Sequence, residues 1–276
     1  MIDYKIIKYI KDRFKFINNS VSDRDLEILA GYSFDNIQNL NVENISRDLH
    51  NLSILKFAIR RRILREPISQ IIGFRKFWKS TFYINENVLD PRPESELIIE
   101  KVLEFSNKKL SLIDLGTGSG CLAISIALER PNFEIFASDI SDDALKIAKF
   151  NSEYYKANIT FLKSDWFSKI NRTFDIIIAN PPYISEYEYK SLPADIRRFE
   201  PKIALTAGLM GLDCIKKIST EFYKYLKPNG MLLMEIGYTQ NKIVEHLFSE
   251  QGYKNIDLFK DLLGIPRIVC VKKDAI

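Results

Sequence analysis

A chain of 276 residues exceeds the size at which one hydrophobic core usually stops growing, so two domains are expected. Hydrophobic residues at 46% and charged residues at 28% exclude a disordered or fibrous chain, and a net charge of +4 falls short of the strongly basic signature of a dedicated nucleic-acid binder. Charges scattered from Asp3 to Glu27 leave no apolar stretch for a signal peptide, and no later segment approaches the length of a membrane span, so the expectation is a soluble, cytoplasmic, monomeric protein with no membrane partner.

From residue 3 to about 66 the apolar residues recur three and four apart, as in Leu26, Leu29 and Ala30 or Leu52, Leu55, Ala58 and Ile59. This predicts a small N-terminal helical domain over 1–67, punctuated by Asn18-Asn19-Ser20, by Gly31 and by Glu66-Pro67. Residues 68–90 switch to short β-rich runs, Gln70-Ile71-Ile72 and Thr81-Phe82-Tyr83-Ile84 around Gly73, and predict a β-hairpin linker. The remaining 91–276 form the main domain. There, strands are predicted at 110–115, 133–138, 159–163, 174–179, 230–236, 255–260 and 267–272. The helices between them include 121–129, 142–156, 211–227 and 240–249, and Ser141-Asp142-Asp143 caps the second. The pattern is α/β, and the last two strands are joined too closely for a crossover helix, so they should pair antiparallel. By analogy, seven strands with an antiparallel end is the layout of a class I (Rossmann-like) methyltransferase sheet. Cys121, Cys214 and Cys270 are odd in number and far apart, and His50 and His246 have no histidine or cysteine near them; neither a disulfide framework nor a metal site is expected.

Leu112-Ile113-Asp114-Leu115-Gly116-Thr117-Gly118-Ser119-Gly120-Cys121 runs from an apolar strand through a glycine-rich turn into a helix. Glycine lets the main chain approach a ligand without interference from Cβ. The dinucleotide spacing fails because its sixth place is Cys121, so a cofactor lacking phosphate, S-adenosylmethionine, suits Gly116, Thr117, Gly118, Ser119 and Gly120 better than NAD. Asp139 ends the next strand 19 residues after Gly120, where a carboxylate can accept from ribose hydroxyls. Asp165-Trp166, after the third strand, should flank the adenine, the carboxylate accepting from its amino group and the indole giving a flat apolar contact.

Asn180-Pro181-Pro182-Tyr183 follows directly on the apolar strand Asp175-Ile176-Ile177-Ile178-Ala179. A planar amide or aryl amine is a poor nucleophile, so a site acting on one must hold its two N–H groups and aim the nitrogen. The Asn180 side-chain oxygen and the Pro181 carbonyl can accept one hydrogen each, the prolines hold these acceptors rigid, and Tyr183 can stack on the flat group. Asn180, Pro181 and Tyr183 are therefore the candidate catalytic residues, Asn180 to Tyr183 with Pro182 the candidate substrate site, and Asn180 also a cofactor contact. The tetrapeptide alone leaves open a nucleic-acid adenine N-methyltransferase, and a non-catalytic adenosylmethionine-binding scaffold is a further alternative.

Several segments in order resemble the PrmC/HemK family, the release factor glutamine methyltransferases. They are Glu66-Pro67 with Gly73 and Phe77-Trp78, then Pro91-Arg92-Pro93-Glu94-Ser95-Glu96, Asp114 to Gly120, and Asn180 to Tyr183. Arg198-Phe199-Glu200-Pro201 with Ala204-Leu205, Glu235-Ile236-Gly237, and Asp261-Leu262-Leu263-Gly264 with Arg267 complete the set. The resemblance implies that Gly116 to Gly120, Asp139, Trp166 and Asn180 bind the methyl donor. It also implies that Asn180 to Tyr183 hold the glutamine of the Gly-Gly-Gln loop of class 1 peptide chain release factors, a protein partner, with no nucleic acid required. Ser95 stands where many relatives have threonine, and Asp90 where an aliphatic residue is commoner. Arg60-Arg61-Arg62 with Arg65, at the end of the small domain's last predicted helix, is the expected aid to docking the release factor.

Overall fold

The computed structural model describes residues 4–17, 21–34, 41–105 and 108–274; the Asn18-Asn19-Ser20 break lies outside them. In chain order the first elements are α1 (Tyr4–Arg13), α2 (Asp23–Ser33), α3 (Val42–Arg47), α4 (Leu49–Ile63), α5 (Ile68–Ile72), β1 (Phe74–Phe77), β2 (Ser80–Tyr83) and α6 (Glu96–Leu103). Then come β3 (Ser111–Leu115), α7 (Cys121–Glu129), β4 (Glu134–Asp139), α8 (Asp142–Tyr155), β5 (Ile159–Lys163), β6 (Phe174–Ala179), α9 (Glu186–Ser191) and α10 (Ala194–Phe199). The last are α11 (Asp213–Glu221), β7 (Leu226–Glu235), α12 (Asn241–Glu250), β8 (Ile256–Lys260) and β9 (Pro266–Lys272).

Two compact units result. The first comprises Met1–Phe74 with Pro193–Phe199. Its helices bury the apolar stripes read from the sequence, with Leu26, Leu29, Leu55 and Ile59 fully enclosed. Ser22 and Asp48 cap α2 and α4 by accepting from the N–H groups of Asp25 and Asn51. The run Gln70-Ile71-Ile72, expected as β, is instead the last turn of α5, which Gly73 ends at φ +77°. Arg61 explains why the short helix holds: its guanidinium pairs with Glu66 and also donates to the carbonyls of Gln70 and Ile71. Arg62 pairs with Asp25 at 2.8 Å, so two of the three consecutive arginines expected at a docking surface are bound inside their own unit.

The second unit, Arg75–Leu192 with Glu200–Ile276, carries a seven-stranded sheet in the order β5-β4-β3-β6-β7-β9-β8. All neighbours from β5 to β7 pair parallel, and β9 alone runs antiparallel, against both β7 and β8. Successive strand residues point to opposite faces. Leu112, Ile135, Ile176 and Met231 pack with α6 and α7 on one side, while Ile113, Phe136, Ile177 and Leu232 pack with α11 and α12 on the other. This is the class I methyltransferase sheet.

Two boundaries differ from expectation by more than a residue or two. The predicted helix 211–227 is the shorter α11 followed by a 3-10 turn, and β7 begins at Leu226 rather than 230. Lys227-Pro228-Asn229-Gly230 reads as a turn, and it is one in effect: Asn229 sits at φ +61° and the register jumps from Phe174↔Leu226 to Ile176↔Met231, so the extra residues bulge out of the ladder. The Pro91–Glu96 segment passes through a 3-10 turn at Pro93–Ser95 into α6. Among the described residues no helix is long and apolar enough to cross a membrane.

Candidate active site

The chain adds β4 and β5 on one side of β3, then returns to place β6 on the other. Ligands in open sheets of this kind bind beyond the strand carboxyl ends at such a reversal. Leu115 and Ala179 are register partners across it, so Gly116 and Asn180 leave the sheet side by side. Two motifs 64 residues apart in the chain are thereby joined at one edge.

Gly116, Gly118 and Gly120 all take positive φ, at +72°, +56° and +81°. A Cβ on Gly120 would lie 3.0 Å from Ile124 Cδ1 and 3.2 Å from Ala148 Cβ, so this glycine lets α7 and α8 approach. A Cβ on Gly118 would meet nothing within 4 Å. Its space is where a ligand can lie against backbone. Below the turn, Thr117 Oγ1 donates to Asp114 Oδ2 at 2.6 Å, and burial pushes the Asp114 carboxyl up to about 7 against that bond.

Asp139 accepts from the N–H of Gly118 through Oδ2 and from the N–H of Ser141 through Oδ1, each at 2.9 Å. Burial raises its pKa, and the N–H donors oppose the rise. A carboxylate offers about four lone-pair sites, so acceptor capacity remains for a hydroxyl donor. Ser141, and not Asp139, caps α8, accepting from the N–H of Ala144 at 3.2 Å. Trp166 adopts φ +45°, its carbonyl held by Ser164 Oγ at 2.8 Å, and its ring lies where a Cβ on Gly116 would be 3.5 Å away. Asp165 is half exposed, with Lys217 Nζ 3.7 Å from its carboxylate.

A cavity of about 280 Å³ lies over these groups, near the lower end for small-molecule sites. Gly116, Gly118, Asp139, Asp165, Trp166, Asn180 and Pro182 line it. Thr117, Ser119 and Gly120 do not: the two hydroxyl side chains are buried, and these residues shape the turn from beneath. Nor do the candidate catalytic residues Pro181, which is buried, and Tyr183, which packs against the core beside β6 and β7. Sequence reasoning assigned no role to Val88, Leu89, Pro201, Ile203, Ala204 and Thr206, which also line the cavity. Of these, Pro201 and Ala204 belong to the family-like segments.

The reactive corner is a chain of polar groups. Asn180 Nδ2 donates to Ser95 Oγ at 2.8 Å, and Ser95 Oγ donates to Glu235 Oε2 at 2.5 Å. Tyr183 OH donates to the other Glu235 oxygen at 3.2 Å. Glu235 is 1% exposed, and burial pushes its carboxyl up to about 7 against these two donors. Burial and the neighbouring Glu235 charge push the Tyr183 phenol up as well. Behind the tetrapeptide, Gln240 Nε2 donates to the carbonyls of Tyr183 and Gly211, while its Oε1 accepts from the N–H of Gly237. Next to the lining residue Pro201 in sequence, buried Glu200 accepts through both oxygens from one Arg92 nitrogen, at 2.6 and 2.7 Å. Asp90, beside it, is buried with Arg75 at 3.3 Å. The ion pair accounts for a carboxylate where an aliphatic side chain is commoner.

The family model for the methyltransferase small domain matches residues 88–194. The release factor glutamine methyltransferase of Koribacter versatilis is 40% identical to this chain over 220 residues, 78% of each protein. That of Lactococcus lactis subsp. lactis is 38% identical over 223 residues, 80% of this chain and 83% of the relative. The chain belongs to the release factor glutamine methyltransferase family. Its fold is shared more widely: the 16S rRNA N2 G1207 methyltransferase of T. Thermophilus, solved with AdoMet and guanosine, superposes with a TM-score of 0.54 at 18% identity, over 72% of this chain and 49% of that one. Within the glutamine methyltransferase family pattern, Arg92, Ser95, Glu200 and Glu235 were legible as motif members, but nothing local revealed that they pair.

Proposed function

We propose that this chain transfers a methyl group from S-adenosylmethionine to the side-chain amide nitrogen of the glutamine in the Gly-Gly-Gln motif of class 1 peptide chain release factors. The observation that carries this reading is the placement of Asn180 at a rigid strand tip directly beside the glycine turn. Family membership supplies the substrate class. The cavity fits the methyl donor: Gly116 and Gly118 offer bare backbone, Asp139 keeps acceptor capacity for ribose hydroxyls, and Trp166 provides a flat wall. The bound cofactor supplies an electrophilic sulfonium methyl.

The chain's own groups act by orientation. Asn180 Oδ1 and the Pro181 carbonyl accept the two amide hydrogens of the glutamine, and the Tyr183 ring lies along the amide plane. With the donor bound, the held nitrogen would take its methyl group as the carbon–sulfur bond broke, and one amide proton would leave to solvent. The first unit is the proposed docking element. With Arg61 and Arg62 engaged internally, Arg60, stacked over Phe16 at 5.4 Å, is its candidate contact.

The test incubates labelled adenosylmethionine with a class 1 release factor, wild type and with the motif glutamine replaced by alanine. Label is expected in the first and not in the second, and Asn180→Ala should lower kcat on the order of 100-fold. Label entering the glutamine-less factor, or entering nucleic acid instead, overturns the reading.

A further inference from the structure

An asparagine side chain can turn either its oxygen or its NH2 group toward a ligand, because the two are nearly identical in shape. Only the oxygen can accept a substrate N–H. Something must therefore select the orientation of Asn180, and its own strand tip does not.

The hydrogen bonds behind it do. An ionised carboxylate accepts and cannot donate. Ser95 Oγ lies 2.5 Å from Glu235 Oε2, so its single proton is committed to Glu235. Only lone pairs remain on Ser95 for Asn180, which must present Nδ2 to it at 2.8 Å. Oδ1 is then left for the cavity that Asn180 lines. We propose that Ser95 and Glu235 are positioning residues that set the amide of Asn180 with its oxygen toward the substrate, and that neutralising Glu235 releases this choice. With Glu235 protonated, the chain can run backwards: Glu235 donates to Ser95, Ser95 donates to Asn180 Oδ1, and the NH2 group faces the substrate amide, donor against donor. The inference rests on the glutamine reading, since it gives Asn180 Oδ1 a substrate hydrogen to hold.

The groups facing Glu235 are few. Ser95 and Tyr183 donate to it, Arg267 on β9 favours its charged form, and Glu94 opposes that form. With burial raising the carboxyl to about 7, the reversal falls in an accessible pH range.

Two measurements test the relay. In kinetics with release factor, kcat of the wild type should rise to a plateau as pH passes through about 7. Glu235→Gln, which carries no titrating proton, should lose that pH dependence. Ser95→Ala should lower kcat roughly 10- to 100-fold, the span of one charge-assisted hydrogen bond, with KM for adenosylmethionine unchanged, and Ser95→Thr should restore it. The second measurement needs no turnover: in the cofactor-free protein, the Asn180 side-chain NH2 resonances should shift with the Glu235 titration in wild type and stay flat in Ser95→Ala and Glu235→Gln. Resonances that ignore pH in the wild type, or Ser95→Ala with wild-type kcat, overturn the relay. If the resonances move as expected while no release factor is methylated, the relay stands and the substrate reading falls.

Discussion

Replacing Arg92 by methionine strips buried Glu200 of its charge partner. The Glu200 side chain is 2% exposed and that of Arg92 30%, with both carboxylate oxygens bonded to one guanidinium nitrogen. Removing one partner of a buried pair costs roughly 3–5 kcal/mol, because the other charge stays uncompensated. Arg92 is nearly a third exposed, so water can reach part of the vacated space, and the expected loss is about 3 kcal/mol, a large share of a typical folding stability. Burial already raises the Glu200 pKa, and Arg92 opposes the rise. Without Arg92 it climbs further. A carboxyl whose folded pKa lies above its unfolded value keeps its proton in the folded state where the unfolded chain has lost it, so stability falls as pH rises. The penalty should therefore be larger at pH 8 than at pH 5, two values chosen above the ordinary carboxylate range of roughly 4. Urea denaturation of the wild type, Arg92→Met, Glu200→Gln and the double variant at both pH values measures the loss and the coupling. A cost for Arg92→Met below about 1 kcal/mol at pH 8, or one equal at the two pH values, refutes the reasoning.

Further predictions concern the turn and the buried acids. Gly120→Ala should destabilise by about 2–5 kcal/mol in urea melts, from the left-handed backbone and the 3.0 Å approach to Ile124 together; a loss under 1 kcal/mol, on the same scales, would contradict the packing argument. Gly118→Ala should cost only about 1–2 kcal/mol of folding stability for its backbone, yet weaken adenosylmethionine binding in calorimetry, because its methyl enters open cavity space; wild-type affinity would place the ligand elsewhere. Stability of the cofactor-free protein should fall between roughly pH 4 and 7. Asp114 and Glu235, both raised to about 7, each bind a proton in the folded state that the unfolded chain has released. Glu235→Gln should flatten that slope, and an unchanged slope would show that Glu235 does not titrate in the window. At the acid end the sign reverses. Despite burial, Asp175 is held below its ordinary value by Lys227 and Ser111, and its contribution is lost as pH falls through that lowered value.

What could be read in the sequence was what neighbouring residues encode. The apolar run ending at Leu115, the alternating glycines and the Asn180 tetrapeptide each carry their meaning within ten residues, and the strand reversal brings them together. Gln70-Ile71-Ile72 misled because a five-residue helix is too short to show a helical period, and its apolar run has a strand's composition. The start of β7 hid behind Pro228, Asn229 and Gly230, which bulge from the strand without ending it. The deeper gaps have one cause. Ser95 meets Glu235 across 140 positions and Arg92 meets Glu200 across 108, and periodicity cannot report a partner at such range. The left-handed backbone of Trp166 is likewise a product of its surroundings, since tryptophan has no preference for that region.

Gln240 spends both its hydrogens and its oxygen on main chain from three separate loops, those of Tyr183, Gly211 and Gly237. No other neutral side chain of its size both gives two hydrogens and takes one from a single planar head; a glutamate of the same outline would confront two carbonyls with nothing to donate. The aim of the tyrosine is thus secured from the start of α12, by a residue outside the cavity lining. Damage to this protein's chemistry can consequently arise at a remove from the pocket, through a substitution that alters neither volume nor fold.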